Sequence, residues 1–426
     1  MKLIEELRAR GLVEALTDPE IEKALEKPIT VYCGFDPSAR SLQAGNLVSI
    51  MVLRRFQQAG HKVIALVGGA TGLIGDPSGK SAERNMLTVE QVAENKRGIR
   101  ENLSRILDFD GPNAAIMVDN YDWYKATSAI EFLRDIAINF RVPQMLAKES
   151  VKKRLEASEG ALTFTEFSYQ ILQGNDFLHL FDNYGCQLEI GGADQWGNIT
   201  AGTDLVHRMR GKTAYGLTFP LLLDSAGRKF GKFGKSEGNA LFMNGEMTSV
   251  FDWYQYFLRS ADEDAIRYLK VFSMKSLEEI AELEAKMKEN PEARIPQKAL
   301  AEELTYLVHG EEGLKKAQEA TAALFGAKNS DNASKSAEEL ERIFANVPSA
   351  EMAKDEILGK SVFAVAAAAG MFKSNGEARR MAVQGGLSLN DAKIDDKRVF
   401  AEDDIVDGKV VLLRSGKRNY FLLKIK

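Results

Sequence analysis

The chain's clearest early pattern is an apolar run, Ile29 to Cys33, followed after a polar loop by Leu47, Ile50, Met51 and Phe56 at close to helical spacing. The run predicts a short buried strand, and the periodic segment predicts a helix over Leu47 to Gln58. Gly60 stands where a left-handed residue would end that helix. A second apolar run, Val63 to Val67, completes a strand, helix, strand unit, which favours a right-handed crossover onto a parallel sheet. The loop from Asp36 to Asn46 therefore lies at the carboxyl end of one strand and the amino end of the next helix. Free backbone N–H groups and the helix dipole favour phosphate there.

Further strands are expected near 115–118 and at the apolar run Gln187 to Ile190, extending the α/β pattern to about residue 220. Between about 125 and 165 lies a helical insertion carrying Lys148, Lys152, Lys153 and Arg154. From about 245 to 325 the pattern is helical, with Trp253, Tyr256, Phe257, Leu300, Leu304 and Leu307 at core spacings. A polar Asn/Ser/Lys patch within 326–348 predicts a linker. Beyond it, helices are expected over Val362 to Met371 and Asn375 to Val383, the second closed by Gly385-Gly386, with strands near Leu387 to Leu389 and Val410 to Leu413. The expected organisation is thus an α/β domain over 1–220, a helical domain over 221–325, a linker over 326–356 and a small α+β tail over 357–426.

At 426 residues, 45% hydrophobic and 27% charged, the chain is long enough for several domains and has the balance of a globular protein. The amino end lacks a signal-peptide pattern and no stretch reads as a membrane span, so a cytoplasmic location is expected. Two cysteines, Cys33 and Cys186, are too few for a disulfide framework or a zinc site, and both are expected to be reduced. The net charge of −5 argues against indiscriminate binding to nucleic acid. Its distribution points elsewhere: residues 360–426 hold thirteen Lys/Arg against eight Asp/Glu, a basic module on an acidic body. That arrangement suits a selective RNA contact, although a mildly basic domain without a ligand fits the charge equally well.

Two glycine patterns point to nucleotide sites and neither fits well. Gly69-x-x-Gly72-x-x-Gly75 mimics a dinucleotide fingerprint, yet it follows the second strand, and Asp76-Pro77 interrupts the helix that should hold a pyrophosphate. Gly75 to Ser81 nearly matches a phosphate-binding loop, with three residues between its glycines instead of four. Tyr169, Gln173 and Asp176, at i, i+4 and i+7, fall on one helix face, with Phe167, Ile171 and Leu178 opposite. A polar stripe of this kind is by itself a common solvated surface. Arg228 to Asn239 is a Gly-containing basic loop in which a Lys-Phe-Gly unit is repeated, giving Lys229, Lys232 and Lys235 in tandem.

In combination, the loop Tyr32 to Leu47, the block Gly68 to Pro77, the helix context Phe167 to Phe177, the block Gly191 to Asn198 and the basic loop Arg228 to Asn239 resemble class I aminoacyl-tRNA synthetases. The resemblance to bacterial tyrosyl-tRNA synthetases runs along nearly the whole chain. It implies a Rossmann-type parallel-sheet catalytic domain, an all-helical domain and an S4-like RNA-binding tail, in which Glu377-Ala378-Arg379-Arg380 and Gly385-Gly386-Leu387 hold the family's places. It implies ATP-dependent activation of L-tyrosine and transfer to tRNA(Tyr), with Mg2+ accompanying ATP, no tightly bound cofactor, no protein metal site, no membrane and a homodimer joined through the insertion.

The resemblance also implies roles for individual residues. The first signature, His-x-Gly-His in the family, reads Gln43-Ala44-Gly45-Asn46 here. The family's imidazoles stabilise charge as pyrophosphate leaves, and amide NH2 groups are also donors. The second signature is placed at Lys232 to Ser236, with Lys232 and Lys235 as the phosphate lysines; use of the first repeat copy would give Lys229 and Lys232 those roles. The tyrosine site is implied to comprise Tyr32, Asp36, Asp76, Tyr169, Gln173, Asp176 and Gln195, and the ATP site Gly34, Ser38, Gly45, Gly192, Asp194, Lys235 and Ser236. RNA contacts are implied at Lys152, Arg154, Arg379, Arg380, Lys417 and Arg418. Asn175 stands where an aromatic residue is usual. A pocket of this kind rejects phenylalanine by leaving buried polar groups unpaired, and no extra segment for an editing site is visible. Gln43, Asn46, the tandem lysine loop and Asn244-Gly245, where relatives carry Asp-Pro, motivate a second reading: a synthetase-derived RNA- or tyrosine-binding protein without most adenylation. A nucleotide-dependent oxidoreductase, resting on the glycine spacing alone, is a third.

Overall fold

The computed structural model describes residues 1–78, 86–156, 162–232, 240–325, 336–344, 347–416 and 419–426. They gather into two compact units, Met1–Thr248 with Gln255–Gly310, and Ser249–Tyr254 with Glu311–Lys426.

The first unit is built on a six-stranded sheet of β1 (Ala15–Leu16), β2 (Thr30–Phe35), β3 (Lys62–Val67), β4 (Ile116–Asp119), β5 (Cys186–Gly192) and β6 (Tyr215–Phe219), in the order β1-β6-β5-β2-β3-β4. Strands β2 to β6 run parallel and β1 is antiparallel to β6. From Val63 to Val67 every residue of β3 is buried, as a parallel sheet covered on both faces requires. The chain leaves β2 towards β3 and β4, then returns to the other side for β5 and β6. That reversal beside β2 is the topological switch point, where crevices open at the carboxyl ends of strands.

The Leu47–Gln58 helix forms as its periodicity predicts, with Leu47, Ile50, Met51 and Phe56 fully buried. Gly60, at φ +89°, turns the chain after it. Arg55 on this helix is also buried, and its guanidinium donates to the Ser273 carbonyl at 2.6 Å. Both cysteines are buried free thiols. The glycine pattern after β3 is a packing device: a Cβ on Gly69 would meet Asp119 Oδ1 at 2.1 Å, and one on Gly72 would meet Pro37 Cδ at 2.8 Å, while a Cβ on the preceding Gly68 would meet Asp36 Oδ1 at 2.0 Å. The short Thr71–Ile74 helix then stops at Gly75, φ +85°. The dinucleotide reading therefore fails, because these glycines admit Asp119 at the end of β4 and Pro37 of the loop after β2 rather than a pyrophosphate.

The insertion is a run of short helical pieces including Ala129–Glu131, Val142–Leu146 and Glu149–Glu156. It leaves Ile130, Leu133, Ile138 and Val142 exposed, and Phe164 beside it is 74% exposed. The helices Asp262–Phe272 and Leu277–Glu289 belong to the same compact unit as the sheet, although the sequence separates them at 221–325. Phe230 is one reason: it is buried with its ring centroid 4.9 Å from both Tyr268 and Phe272. The helical run Ile295–Phe325 is broken at Gly310 (φ 72°, ψ −176°), where the chain passes into the second unit. Its buried stripe is Leu300, Leu304 and Val308, with Leu307 only half-buried.

The second unit contains β7 (Ser349–Met352), β8 (Leu387–Leu389), β9 (Ala392–Lys393), β10 (Val410–Ser415) and β11 (Asn419–Ile425), ordered β7-β11-β10-β8-β9. Alternation along β10 serves two cores. Val411 and Leu413 pack with Val365, Ala382 and Phe421, on the side of the Val362–Ala368 and Asn375–Val383 helices. Val410 and Leu412 pack with Leu340 and Phe344 of the segment containing the Ala337–Ile343 helix. The described part of the expected linker is thus folded: that helix covers the sheet, and β7 adds a parallel strand to β11. Gly385, at φ +65°, follows the Asn375–Val383 helix as expected.

Gly98 lies in the Val89–Ser104 helix, where an added Cβ would come 1.8 Å from the Arg40 carbonyl oxygen. Backbone cannot be relieved by a rotamer change. Gly98→Ala is expected to destabilise the chain by about 1–3 kcal/mol, the usual range for overpacking, read as a lower urea midpoint.

Candidate active site

At the carboxyl ends of β2 and β5 the first unit encloses a cavity of about 410 Å³. It is lined from below by Tyr32 and Glu189, register partners on adjacent strands, and from the side by the Phe164–Tyr184 helix. Thr163 starts that helix as its N-cap, accepting from the Glu166 N–H at 3.2 Å.

Asp36 follows directly on β2. Its Oδ1 accepts from Thr71 Oγ1 at 2.6 Å and its Oδ2 from the Tyr169 hydroxyl at 2.7 Å. Burial first, then the neighbouring carboxylates of Asp36 and Asp76, push the Tyr169 hydroxyl pKa far up, so it remains a donor. Asp76 is also buried: it accepts from the Ser78 N–H at 2.9 Å and from Gln195 Nε2 at 2.7 Å. Asn198 in turn donates to Gln195 Oε1 at 3.1 Å.

One turn or two further along the helix, Asp176 is 2% exposed and accepts from Asn120 Nδ2 and Trp123 Nε1, both at 3.0 Å. Burial pushes its carboxyl up to about 7, while these two donors favour the ionised form. The His179 ring stacks on Trp123 at 4.2 Å and steadies that donor. Gln173 donates through Nε2 to Glu189 Oε1 at 2.8 Å. Burial pushes Glu189 up to about 8. Among the described residues, the buried Glu189 Oε2 and Tyr32 hydroxyl make no well-formed hydrogen bond, although the two lie close enough for the carboxyl to help push the phenol's pKa up. Such orphaned polar atoms on a cavity wall are where a polar ligand recovers their desolvation cost.

The cavity's other wall is the loop after β2. Gln43 precedes a tight turn over Ala44–Asn46, which runs into the Leu47–Gln58 helix. Gln43, Gly45, Asn46, Gly34 and Ser38 face the cavity, as do Gly192 and Asp194 after β5. Asp194 is pushed up by burial first and then by Asp76. Lys229 and Lys232 close the side.

A family description, tRNA synthetases class I (W and Y), matches residues 23–326 of this chain. The chain belongs to that family. A second description, the Tyrosine--tRNA ligase SYY-like C-terminal domain, matches residues 339–423. Curated relatives named tyrosine--tRNA ligase span its full length: that of Protochlamydia amoebophila is 46% identical, covering 98% of each chain, and that of Rhodopirellula baltica is 48% identical, covering 100% of this chain and 96% of its own. Among solved structures, a C-terminally truncated mitochondrial tyrosyl-tRNA synthetase of Aspergillus nidulans superposes with a TM-score of 0.68 at 29% identity, over 76% of this chain and 94% of that one. The alternative of a binding protein derived from a synthetase finds no support among these relatives.

Against the family's pattern, the structure brings all seven residues expected for tyrosine to one cavity or its immediate wall. Lys235 and Ser236 lie outside the described residues, as do Lys417 and Arg418. Lys152, Arg379 and Arg380 are exposed, Arg379 pairing with Asp396 at 3.0 Å. Arg154 corrects the sequence reading: it is 1% exposed and donates to both carboxylate oxygens of Glu166, at 2.9 and 3.0 Å, so its charge is spent inside the fold and not on RNA. Asn175, the departure from an aromatic residue, donates to the Tyr124 hydroxyl at 3.1 Å.

Sequence reasoning missed Glu189, Asn120, Trp123 and Thr71. Glu189 left a signal, a carboxylate inside an otherwise apolar strand. The donors to Asp176 left none, since they meet it only through the fold. Asp176 and Glu189 have a measurable consequence. Unfolded, such carboxyls ionise near 4; folded, near 7 and 8. Between those values the folded state holds more protons, so stability falls as pH rises from about 4 to about 8. Glu189→Gln is expected to flatten that decline, measured by urea unfolding at pH 5 to 8.

Proposed function

We propose that this chain works as a tyrosine–tRNA ligase, joining L-tyrosine to ATP as an adenylate and passing it to tRNA(Tyr). The observation that carries this reading is the pairing of two buried carboxylate sites on one helix-lined cavity: Asp176, held by Asn120 and Trp123, and the Asp76, Asp36, Tyr169, Gln173 group. Tyr169 and Asp176 are about 10 Å apart along the helix axis, a span that suits an amino acid with a polar group at each end. Asp176 and Tyr32 would take the phenol, while Asp76, Tyr169 and Gln173 would take the ammonium. Gln195 reaches the reacting carboxylate.

A tyrosine carboxylate oxygen attacks the α-phosphorus, the bond to the β-phosphate oxygen breaks, and pyrophosphate leaves. The terminal ribose hydroxyl of tRNA then takes the aminoacyl group and releases AMP. The attacking carboxylate is already ionised at neutral pH, so placement and charge stabilisation suffice. Gly34, Ser38, Gly45 and Gly192 give backbone access to ATP, Asp194 accepts from its ribose, and Lys232, Lys235 and Ser236 meet the phosphates. Mg2+ would neutralise the pyrophosphate and be held by phosphate oxygens and water; among the described residues no cluster of three or more His, Cys, Asp or Glu side chains is placed to hold a metal ion.

The sheet unit would hold the chemistry, the following helices would face the anticodon side of tRNA, and the basic tail, with Arg379, Arg380, Lys417 and Arg418, would contact RNA together with Lys152. The exposed apolar side chains Ile130, Leu133, Ile138, Val142 and Phe164 support a homodimer through the insertion. The setting is the cytoplasm; among the described residues no helix is long and apolar enough to cross a membrane.

Tyrosine-dependent exchange of labelled pyrophosphate into ATP tests the reading, and no exchange by the native chain would overturn it. Asp176→Ala should raise the KM for tyrosine by roughly 30-fold, since hydrogen bonds to charged groups are worth about 2 kcal/mol. Arg379→Glu with Arg380→Glu should lower tRNA charging while leaving exchange intact.

A further inference from the structure

Glu189 is a buried acid on the cavity floor that the adenylation chemistry does not use. It stands on β5 in register with Tyr32 of β2, and both side chains line the cavity at no more than 2% exposure. Its Oε1 accepts from Gln173 Nε2 at 2.8 Å, which turns the Gln173 amide oxygen away from the acid. Its Oε2 packs where the Trp196–Arg210 helix carries Gly202: a Cβ there would come 3.3 Å from that oxygen. The Tyr32 hydroxyl is close enough for the carboxyl to raise its pKa, yet among the described residues neither Oε2 nor the hydroxyl makes a well-formed hydrogen bond. The charged surroundings do little to ionise the acid. Lys148, whose charge favours the carboxylate, gives its ammonium to the Gly197 carbonyl, Asp176 repels a second negative charge, and the Cys33 and Cys186 thiols are kept neutral by burial. Burial outweighs Lys148, and the acid keeps its proton up to about 8.

We infer that Glu189, as a neutral acid, is a positioning residue of the tyrosine site: its Oε2–H donates to the Tyr32 oxygen, which leaves Tyr32 to donate its own hydrogen to the ligand's phenol oxygen. This rests on the tyrosine site proposed above. Hydrogen counting sets the direction. A phenol has one hydrogen and two lone pairs, and a carboxylate only accepts. Asp176, which already accepts from Asn120 and Trp123, therefore takes the ligand's phenol hydrogen. The phenol oxygen then needs a donor, and Tyr32 is the hydroxyl on the wall that can supply one. Three hydrogens in sequence, from Glu189 to Tyr32, from Tyr32 to the phenol and from the phenol to Asp176, satisfy this row of oxygens. An ionised Glu189 would capture the Tyr32 hydrogen instead, and the Tyr32 and ligand oxygens would face each other with none between them. The same acid holds Gln173 through its other oxygen. One buried side chain thus serves both ends of the bound amino acid.

Tyrosine binding by equilibrium dialysis from pH 6 to 9 tests this, comparing the native chain with Glu189→Gln. The variant's amide donates at every pH, whereas the acid loses its proton near 8. Asp176, pushed up by burial to about 7, and Lys148, pushed down by burial to about 8, titrate in the same window, as does the ligand's ammonium. All three are common to both proteins, so the ratio of native to variant dissociation constants isolates Glu189. That ratio should climb about tenfold between pH 7 and 9, because only the protonated fraction binds in the relay and that fraction falls about tenfold. In a Tyr32→Phe background, which lacks the hydroxyl that passes the hydrogen on, the ratio should stay level. A level ratio in the native background overturns the relay, and so does an equal climb without the Tyr32 hydroxyl. Failure of the native chain to bind tyrosine at any pH overturns instead the tyrosine site on which the relay rests.

Discussion

The Asp36 carboxylate joins three parts of the first unit. It stands at the exit of β2, accepts from Thr71 at the start of the short helix after β3, and accepts from Tyr169 on the long helix that walls the cavity. The approach is so close that Gly68 can carry no Cβ, since one would lie 2.0 Å from Asp36 Oδ1. The glycine-rich block, the helix face and the loop after β2 are therefore one constraint seen from three places in the chain. A residue that tethers the walls in this way also fixes the size of the space between them.

That space is costly to keep. Tyr32, Asp176 and Glu189 are polar or ionisable groups with almost no exposure, and the two carboxyls are held well above their ordinary range by burial. Only part of their bonding capacity is met from within the first unit, through Asn120, Trp123 and Gln173. An apolar wall would be more stable but would not tell a phenol from a phenyl ring. Buried polar groups left partly unmet are where a polar ligand recovers their desolvation cost, and the hydrophobic sheet behind them supplies the stability they withdraw.

The altered signature follows the same logic with a different outcome. Where a histidine would need its tautomer fixed, an amide needs its flip fixed, and donor-only neighbours fix it. In the structure the Gln43 oxygen is held by Lys232 and the Asn46 oxygen by the Gln43 N–H, which leaves both amide NH2 groups turned away from those partners. Lys232 is in turn positioned by its neighbour Phe230, which is anchored against Tyr268 and Phe272.

The sequence by itself determined the strand–helix–strand unit at 29–67, the helix bearing Tyr169, Gln173 and Asp176, the small α+β tail and the family's blocks. These depend on local periodicity, on glycine at forced turns and on motifs continuous in the chain. Tertiary structure decided what each polar group faces. Arg154 looked like a basic surface residue and is buried on Glu166; residues 337–344 and 349–352 looked like part of a linker, and the first segment covers a sheet that the second extends; Asn120, Trp123 and Glu189 carried no motif and stand at the site. Burial and hydrogen-bond partners join residues distant in sequence, so no window along the chain contains both members of such a pair. The chemistry of an acid or an amide is fixed by its partner, and the partner is chosen by the fold.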